Sequence, residues 1–224
     1  MSPHPISAAF LAAGSRPSAS AKRSDKKNYA ESLSRQLAQY FADVLRLHFP
    51  GIVPDEEGRG QESRARTAKG FKRLDVNYST PELGLGLGVS IKTLNYRDAR
   101  SRRYTKNFTR VDNELRAEAV DYHVRQPWAV LEGVLFLPLD ACDDGDGAPS
   151  SFGQAIRIFR HRAGREGPED PPELFERFFV GLYDFDCMEP PNRCQPNLKL
   201  LNRGSLRVGC LPACEGGLSQ RGPL

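Results

Sequence analysis

Leu74-Asp75-Val76-Asn77-Tyr78-Ser79-Thr80-Pro81-Glu82-Leu83-Gly84-Leu85-Gly86-Leu87-Gly88-Val89-Ser90-Ile91-Lys92 is the stretch on which the reading of this chain turns. Leu74, Val76 and Tyr78 alternate with Asp75, Asn77 and Ser79, which is the two-residue period of a strand. Pro81 to Gly84 supplies turn residues. Beyond it Leu85, Leu87, Val89 and Ile91 share one face, and Gly86, Gly88, Ser90 and Lys92 share the other. The expectation is a hairpin with one apolar face and with Asp75 and Lys92 on its polar face. Gly84-x-Gly86-x-Gly88 lacks the spacing of a phosphate-binding loop or a dinucleotide fingerprint. Glycines alternating along a strand point instead to close packing or to close approach of DNA.

Working outward, Tyr29, Leu33, Leu37, Tyr40, Phe41 and Val44 recur at three or four between Lys26 and Phe49, predicting a helix with one core face that Pro50-Gly51 ends. Residues 51 to 70 read as polar and Gly-rich. On the C-terminal side the period predicts a helix from Thr109 to about Val124. The run Trp128 to Leu139 is rich enough in Val, Leu and Phe for a central strand. Cys142 to Pro149 reads as an acidic loop, Phe152 to Arg162 as a helix, Pro171 to Arg177 as the start of another, and Phe178 to Phe185 as a strand. Helix, hairpin, helix, strand, helix, strand implies an α/β fold, a mixed central sheet flanked by helices.

The ends differ from this patterned body. Residues 1–24 are rich in Ser, Ala and Pro, contain no acid and sustain no period, and are expected to be a disordered leader. Residues 25–186 form the expected folded domain. Residues 187–224 mix Pro, Gly, Cys and Arg and are expected to be an unpatterned, poorly ordered tail.

A chain of 224 residues that is 39% hydrophobic can bury one good core. The apolar run Ile6 to Ala13 falls short of the roughly 18 residues a membrane helix needs and has no basic segment before it, so no membrane role is expected. Five cysteines, an odd number, argue against a secreted disulfide scaffold and for a reducing cytoplasm. Cys187, Cys194, Cys210 and Cys214 lack the paired short Cys-x2-Cys spacing of a zinc knuckle. His4, His48, His123 and His161 fall in no arrangement that suggests a general base.

The net charge of +4 is mild, but the cations cluster. Between Lys92 and Arg110 lie Arg97, Arg100, Arg102, Arg103 and Lys106 with Asp98 as the lone acid, and Tyr96, Tyr104 and Phe108 interleaved. A loop of this kind suits contact with a phosphate backbone, or is a solvated charged loop. Arg64, Arg66, Lys69, Lys72 and Arg73 make a second cluster able to face the same duplex.

Hydrolysing a phosphodiester calls for a cation that polarises phosphate and activates water, and so for carboxylates with a positive side chain nearby. Asp75 followed by Ser90-Ile91-Lys92 resembles the PD-(D/E)XK nuclease signature with Ser in place of the second acid. In the branch of type II restriction endonucleases that cuts sites containing CCGG, Ser-x-Lys lies on the strand and the next helix supplies the missing acid. The helix here reads Arg110-Val111-Asp112-Asn113-Glu114-Leu115-Arg116-Ala117-Glu118-Ala119, similar to the Arg-x-Asp and Arg-x-Glu-Ala elements of that branch. Leu74 rather than Pro precedes Asp75, and the span from Lys92 to Glu118 is longer than in the branch.

The resemblance implies a restriction-endonuclease-like fold and Mg2+-dependent cleavage of double-stranded DNA. It makes Asp75 and Glu118 the metal ligands, Lys92 the residue that orients water or stabilises phosphate, and Ser90 the marker of the vacated acid. Arg100, Arg102, Arg103, Lys106, Arg110 and Asp112 are the candidate DNA contacts, Asp112 alternatively pairing with Thr109 as a helix cap. Cutting both strands of a palindrome implies a homodimer or higher homo-oligomer. At about 100° per residue, Val111, Leu115, Ala119 and Tyr122 form the apolar stripe of the helix and Glu118 projects beside it, with Glu114 farther round as the second choice. Two other readings remain open: a non-catalytic DNA-binding relative, and a repair or mobile-element nuclease of the same fold.

Overall fold

A computed structural model of the chain describes residues 6–145, 148–184 and, as backbone, 197–202 and 205–210. Among these the order is α1 (Ile6–Ala12), α2 (Arg23–Leu45), β1 (Ser63–Thr67), β2 (Gly70–Leu74), β3 (Val76–Thr80), β4 (Gly84–Thr93), α3 (Phe108–His123), β5 (Val130–Pro138), α4 (Ser151–Phe159), β6 (Arg177–Tyr183), β7 (Asn197–Asn202) and β8 (Ser205–Cys210). Strands β3 to β8 form one sheet in sequence order, and β1–β2 stand apart as a two-stranded ribbon.

The stretch 74–92 forms an antiparallel pair only from Val76 onward, with Val76 opposite Val89, Tyr78 opposite Leu87 and an irregularity between Tyr78 and Ser79. Leu74 ends β2, and Asp75 lies outside the hairpin. Leu74 and Leu85 pack in the core on the other side of the sheet from Val76, Leu87, Val89 and Ile91, so the expected single apolar face is not kept. The step from β4 to β5 is parallel, with Ser90 opposite Gly133 and Lys92 opposite Leu135, and so is the step from β5 to β6. The β6–β7 and β7–β8 pairs are antiparallel, so the sheet is mixed. A parallel step needs a crossover connection, which α3 provides between β4 and β5 and α4 between β5 and β6.

The sheet divides two cores. On one face Leu87, Val89, Ile91, Val134 and Phe136 pack against Leu33, Leu37 and Ala42 of α2. On the other, Leu131, Leu135, Val180 and Leu182 pack against Leu115, Ala119, Ala155 and Phe159 of α3 and α4. This is a sheet flanked by helices, as the order of elements implied. Gly133 is dictated by packing, because a Cβ there would lie 2.4 Å from the Phe178 ring. Gly88 likewise abuts Leu74, at 2.8 Å from a built Cβ, so close packing accounts for this glycine of β4.

Four further stretches differ from expectation. Within residues 1–24, taken as a disordered leader, α1 buries Ile6 and Ala9, and Phe10 stacks on Tyr183 at 4.7 Å. A helix so short shows no usable period and holds through tertiary packing. Residues 1–5 of that leader lie outside the described residues. The polar stretch 51–70 contributes the ribbon strand β1, whose exposed arginines mask a buried alternation of Ala65 and Thr67.

Pro171 to Arg177 starts no helix. The Phe175 and Glu176 backbone N–H groups donate to Arg162 and Leu131 carbonyls, which uses the donors a helix would need. Residues 187–224 include β7 and β8, whose sequence signal, Leu198-Lys199-Leu200 and Leu206-Arg207-Val208, is too short to outweigh the Pro, Gly and Cys around it. The rest of that tail, with Cys187, Cys194 and Cys214, lies outside the described residues. No described helix is long and apolar enough to cross a membrane.

Candidate functional site

Asp75 occupies the single residue between β2 and β3, flanked by the buried Leu74 and Val76. Backbone pairing of β3 with β4 ends at Val76 and Val89. The Ile91 N–H therefore lies beyond the last strand partner and donates to Asp75 Oδ2 at 2.6 Å, the carboxylate standing where a strand carbonyl would be. This bond holds Asp75 against the same strand that carries Ser90 and Lys92.

Ser90 and Lys92 share a face of β4, opposite to the buried Val89 and Ile91. That face looks toward α3. The α3 stripe is buried as its period implied, with Val111, Leu115, Ala119 and Tyr122 at 2% exposure or less. Glu118 beside it reaches the strand, where Ser90 Oγ donates to Glu118 Oε1 at 2.5 Å and Lys92 Nζ lies 3.7 Å from Glu118 Oε2. The Lys92 side chain is 27% exposed and that of Glu118 13%, so the group is reachable from solvent at its Lys92 end. Asp75, Ser90, Lys92 and Glu118, separate in sequence, converge in space. Glu114 pairs with Arg110 at 2.7 Å on the exposed side of the helix.

The charges here are incompletely balanced. Withdrawal from water pushes the Asp75 carboxyl up to about 6; the Ile91 N–H and the Lys92 cation pull it back, while Glu118 and Glu62 add to the rise. Ionised Asp75 is therefore short of positive partners. Tyr122, one turn beyond Glu118, is fully buried, and its hydroxyl has no hydrogen-bond partner among the described residues. Burial raises the Tyr122 hydroxyl, and Glu118, Asp121 and Asp75 raise it further. Sequence reasoning used Tyr122 only as an apolar residue; its spacing of four from Glu118 was the available signal.

These donors are two carboxylates and a hydroxyl, all oxygen. Among the described residues no group of three or more His, Cys, Asp or Glu side chains could hold a metal. Two carboxylates still suit Mg2+, a hard cation that keeps several waters, and the charge deficit at Asp75 is of the sign a cation corrects.

The basic loop between β4 and α3 is folded in on itself. Arg97 pairs with Asp140 at 2.9 Å, Tyr104 Oη donates to Asp140 Oδ1 at 2.8 Å, and the Tyr104 N–H donates to Ser151 Oγ at 3.0 Å. Asp98 accepts the Arg100 and Ser101 N–H groups and pairs with Lys106, which holds its carboxyl well below the usual range. Arg103 donates to the Pro149 carbonyl. Arg100 and Arg102 stay exposed at the tip, Arg102 with φ of 57°, and their side chains have no partner among the described residues.

Of the candidate DNA contacts, Arg110 is tied to Glu114, and Asp112 accepts two bonds from Arg162, at 2.5 and 3.0 Å. Asp112 is thus engaged with neither a base-reading role on display nor a Thr109 cap, since α3 begins at Phe108 with no side-chain cap. No protein-family model, curated protein or solved structure matches this chain.

Proposed function

We propose that the chain is a Mg2+-dependent endonuclease of double-stranded DNA with a restriction-endonuclease-like fold, similar in its site to the CCGG-cutting branch of type II enzymes. The observation that carries this reading is the meeting of Asp75, Ser90, Lys92 and Glu118 from three separate elements, around a carboxylate that lacks compensating charge. In this reading Asp75 and Glu118 hold Mg2+, which when bound supplies Lewis-acid polarisation of the phosphate and acidifies a water. Ser90 fixes the Glu118 carboxylate by donating to Oε1, so the acid from the helix stands beside the strand position that carries an acid in the wider family. Lys92 orients the attacking water or neutralises charge on the phosphate. The exposed Arg100 and Arg102 supply phosphate contact at the loop tip. Cleavage of both strands requires two such centres, so a homodimer or higher homo-oligomer acting in the cytoplasm belongs to the proposal.

The test is supercoiled plasmid DNA incubated with Mg2+, with and without chelator, and sequencing of the ends. Glu118→Ala and Lys92→Ala are expected to cut at least about 10²-fold more slowly while still binding duplex. Glu114→Ala should cut near the parent rate, and Ser90→Glu added to Glu118→Ala should recover part of the activity by restoring a carboxylate beside the same position. Binding without any cutting would make the chain a non-catalytic DNA-binding relative. Ends at no fixed short site would make it a repair or mobile-element nuclease.

A further inference from the structure

The ribbon formed by β1 and β2 has one face on the protein and one on solvent. Ala65, Thr67 and Leu74 are buried, while Arg64, Arg66, Phe71 and Arg73 are exposed. Register places Arg64 directly opposite Arg73 and Arg66 opposite Phe71. Like charges facing each other across strands destabilise the pair, and a two-stranded ribbon has little stability of its own. Its anchorage is on the other side. The Ala68 N–H donates to the Asp121 carbonyl at 2.8 Å, and Lys69, at 3.3 Å, and Lys72 pair with the Asp121 carboxylate, which lies almost wholly within the protein. Two of the five cations of this cluster are therefore spent on holding the ribbon to α3.

The outward cations are not spent in this way. Arg64 has no ion pair or hydrogen bond among the described residues, Arg66 lies over the 60% exposed Phe71 ring at 5.5 Å, and Arg73 pairs with the exposed Glu62 at 2.6 Å. A stacked guanidinium keeps its charge and donors while losing freedom, which suits it to phosphate. The ribbon is also joined to the candidate site, since Leu74 ends β2 and Asp75 follows it, and Asp121 lies on the helix that carries Glu118.

We infer that the outward face of this ribbon is a second duplex-DNA contact, in which Arg64, Arg66 and Arg73 take backbone phosphates and Phe71 packs against the groove wall. The inference rests on the DNA reading of the Asp75 site and adds to it a contact the loop does not provide. Width is compatible, because a two-stranded ribbon is one of the elements a major groove admits. Rigid attachment at Asp121 sets the distance from the phosphates it grips to the Asp75 carboxylate.

The experiment measures affinity of the full chain for a 5′-labelled duplex DNA across a KCl series, with chelator present so that no cutting intervenes. Arg64→Ala with Arg66→Ala should weaken binding on the order of 10-fold at 0.1 M salt and reduce the slope of log affinity against log salt by about 1–2. Arg64→Lys with Arg66→Lys, which keeps the charge, should hold most of the slope, and neither variant should melt well below the parent, because the side chains are exposed and Arg64 faces the like charge of Arg73. Parent-like affinity and slope in the alanine variant, with Arg102→Ala still weakening binding, would overturn the ribbon contact alone. A parent that does not bind duplex DNA would overturn the DNA reading and the ribbon with it. Preference for duplex or single-stranded RNA over duplex DNA would likewise overturn the assignment.

Discussion

Asp75 and Glu176 are both drawn out of water beside α3, and they titrate in opposite directions. Burial raises both. At Glu176 the chain answers that cost with its own donors, Arg165 Nη1 at 2.7 Å and the Leu131 N–H at 2.7 Å, with His123 Nε2 nearby at 3.5 Å, and the carboxyl is held below its ordinary value. Arg165 is itself fixed by the Pro127 carbonyl at 2.7 Å, and His123 Nδ1 by Pro172 at 2.9 Å. At Asp75 one N–H and a more distant lysine leave the carboxyl near 6. The charge at Glu176 is satisfied from within, whereas the charge at Asp75 is left in deficit.

The sharpest way to break this contrast is to remove Glu176. Glu176→Ala leaves Arg165, 3% exposed in its side chain, without its carboxylate, and should cost about 3–5 kcal/mol in denaturant unfolding. A loss below about 1 kcal/mol would mean the cluster is not a structural brace.

Asp75 should respond in the opposite sense. Its folded value, about 6, lies above the ordinary 3.8, so the stability it contributes is fully present below pH 3.8 and is lost as pH rises through 6. Asp75→Asn removes that loss and keeps an oxygen for the Ile91 N–H. The variant should be more stable than the parent at pH 8, by about 3 kcal/mol at most, with the difference closing as pH falls toward 4. Equal stability at pH 8 would show that the carboxylate is already compensated.

Metal should close the same gap. Mg2+ at about 100 times its dissociation constant should stabilise the parent by about 2.7 kcal/mol in thermal unfolding and Asp75→Asn much less, and chelator should reverse the effect. An identical Mg2+ response in both proteins would place the ion elsewhere. The smallest effect is expected at Tyr122. Tyr122→Phe deletes a buried hydroxyl with no described partner, so stability should stay the same or rise by up to about 1 kcal/mol. A clear loss would reveal a hidden partner for that oxygen.

Local periodicity is what the chain states on its own. The strands between Val76 and Lys92, the three-four spacing of α2 and α3, and the apolar run of β5 were legible in the sequence. The single apolar face expected from Leu74 to Ile91 was not, since Leu74 and Leu85 pack on the other side of the sheet from Val76, Leu87, Val89 and Ile91. That Glu118 rather than Glu114 approaches the strand was legible too, because angle around a helix decides which acid nears the core. Tertiary structure alone decided the rest. Ile6, Ala9 and Phe10 make a helix only because Phe136 and Tyr183 offer a surface to cover; the backbone donors of Phe175 and Glu176 are taken by distant carbonyls; and Arg162 claims Asp112 from across the fold. The division between anchored Lys69 and Lys72 and outward Arg64 and Arg66 was equally invisible, since it depends on where Asp121 lies. Which charges are satisfied and which are left waiting is a property of contacts between remote segments, and a one-dimensional pattern carries the period of a face but not the partner that meets it.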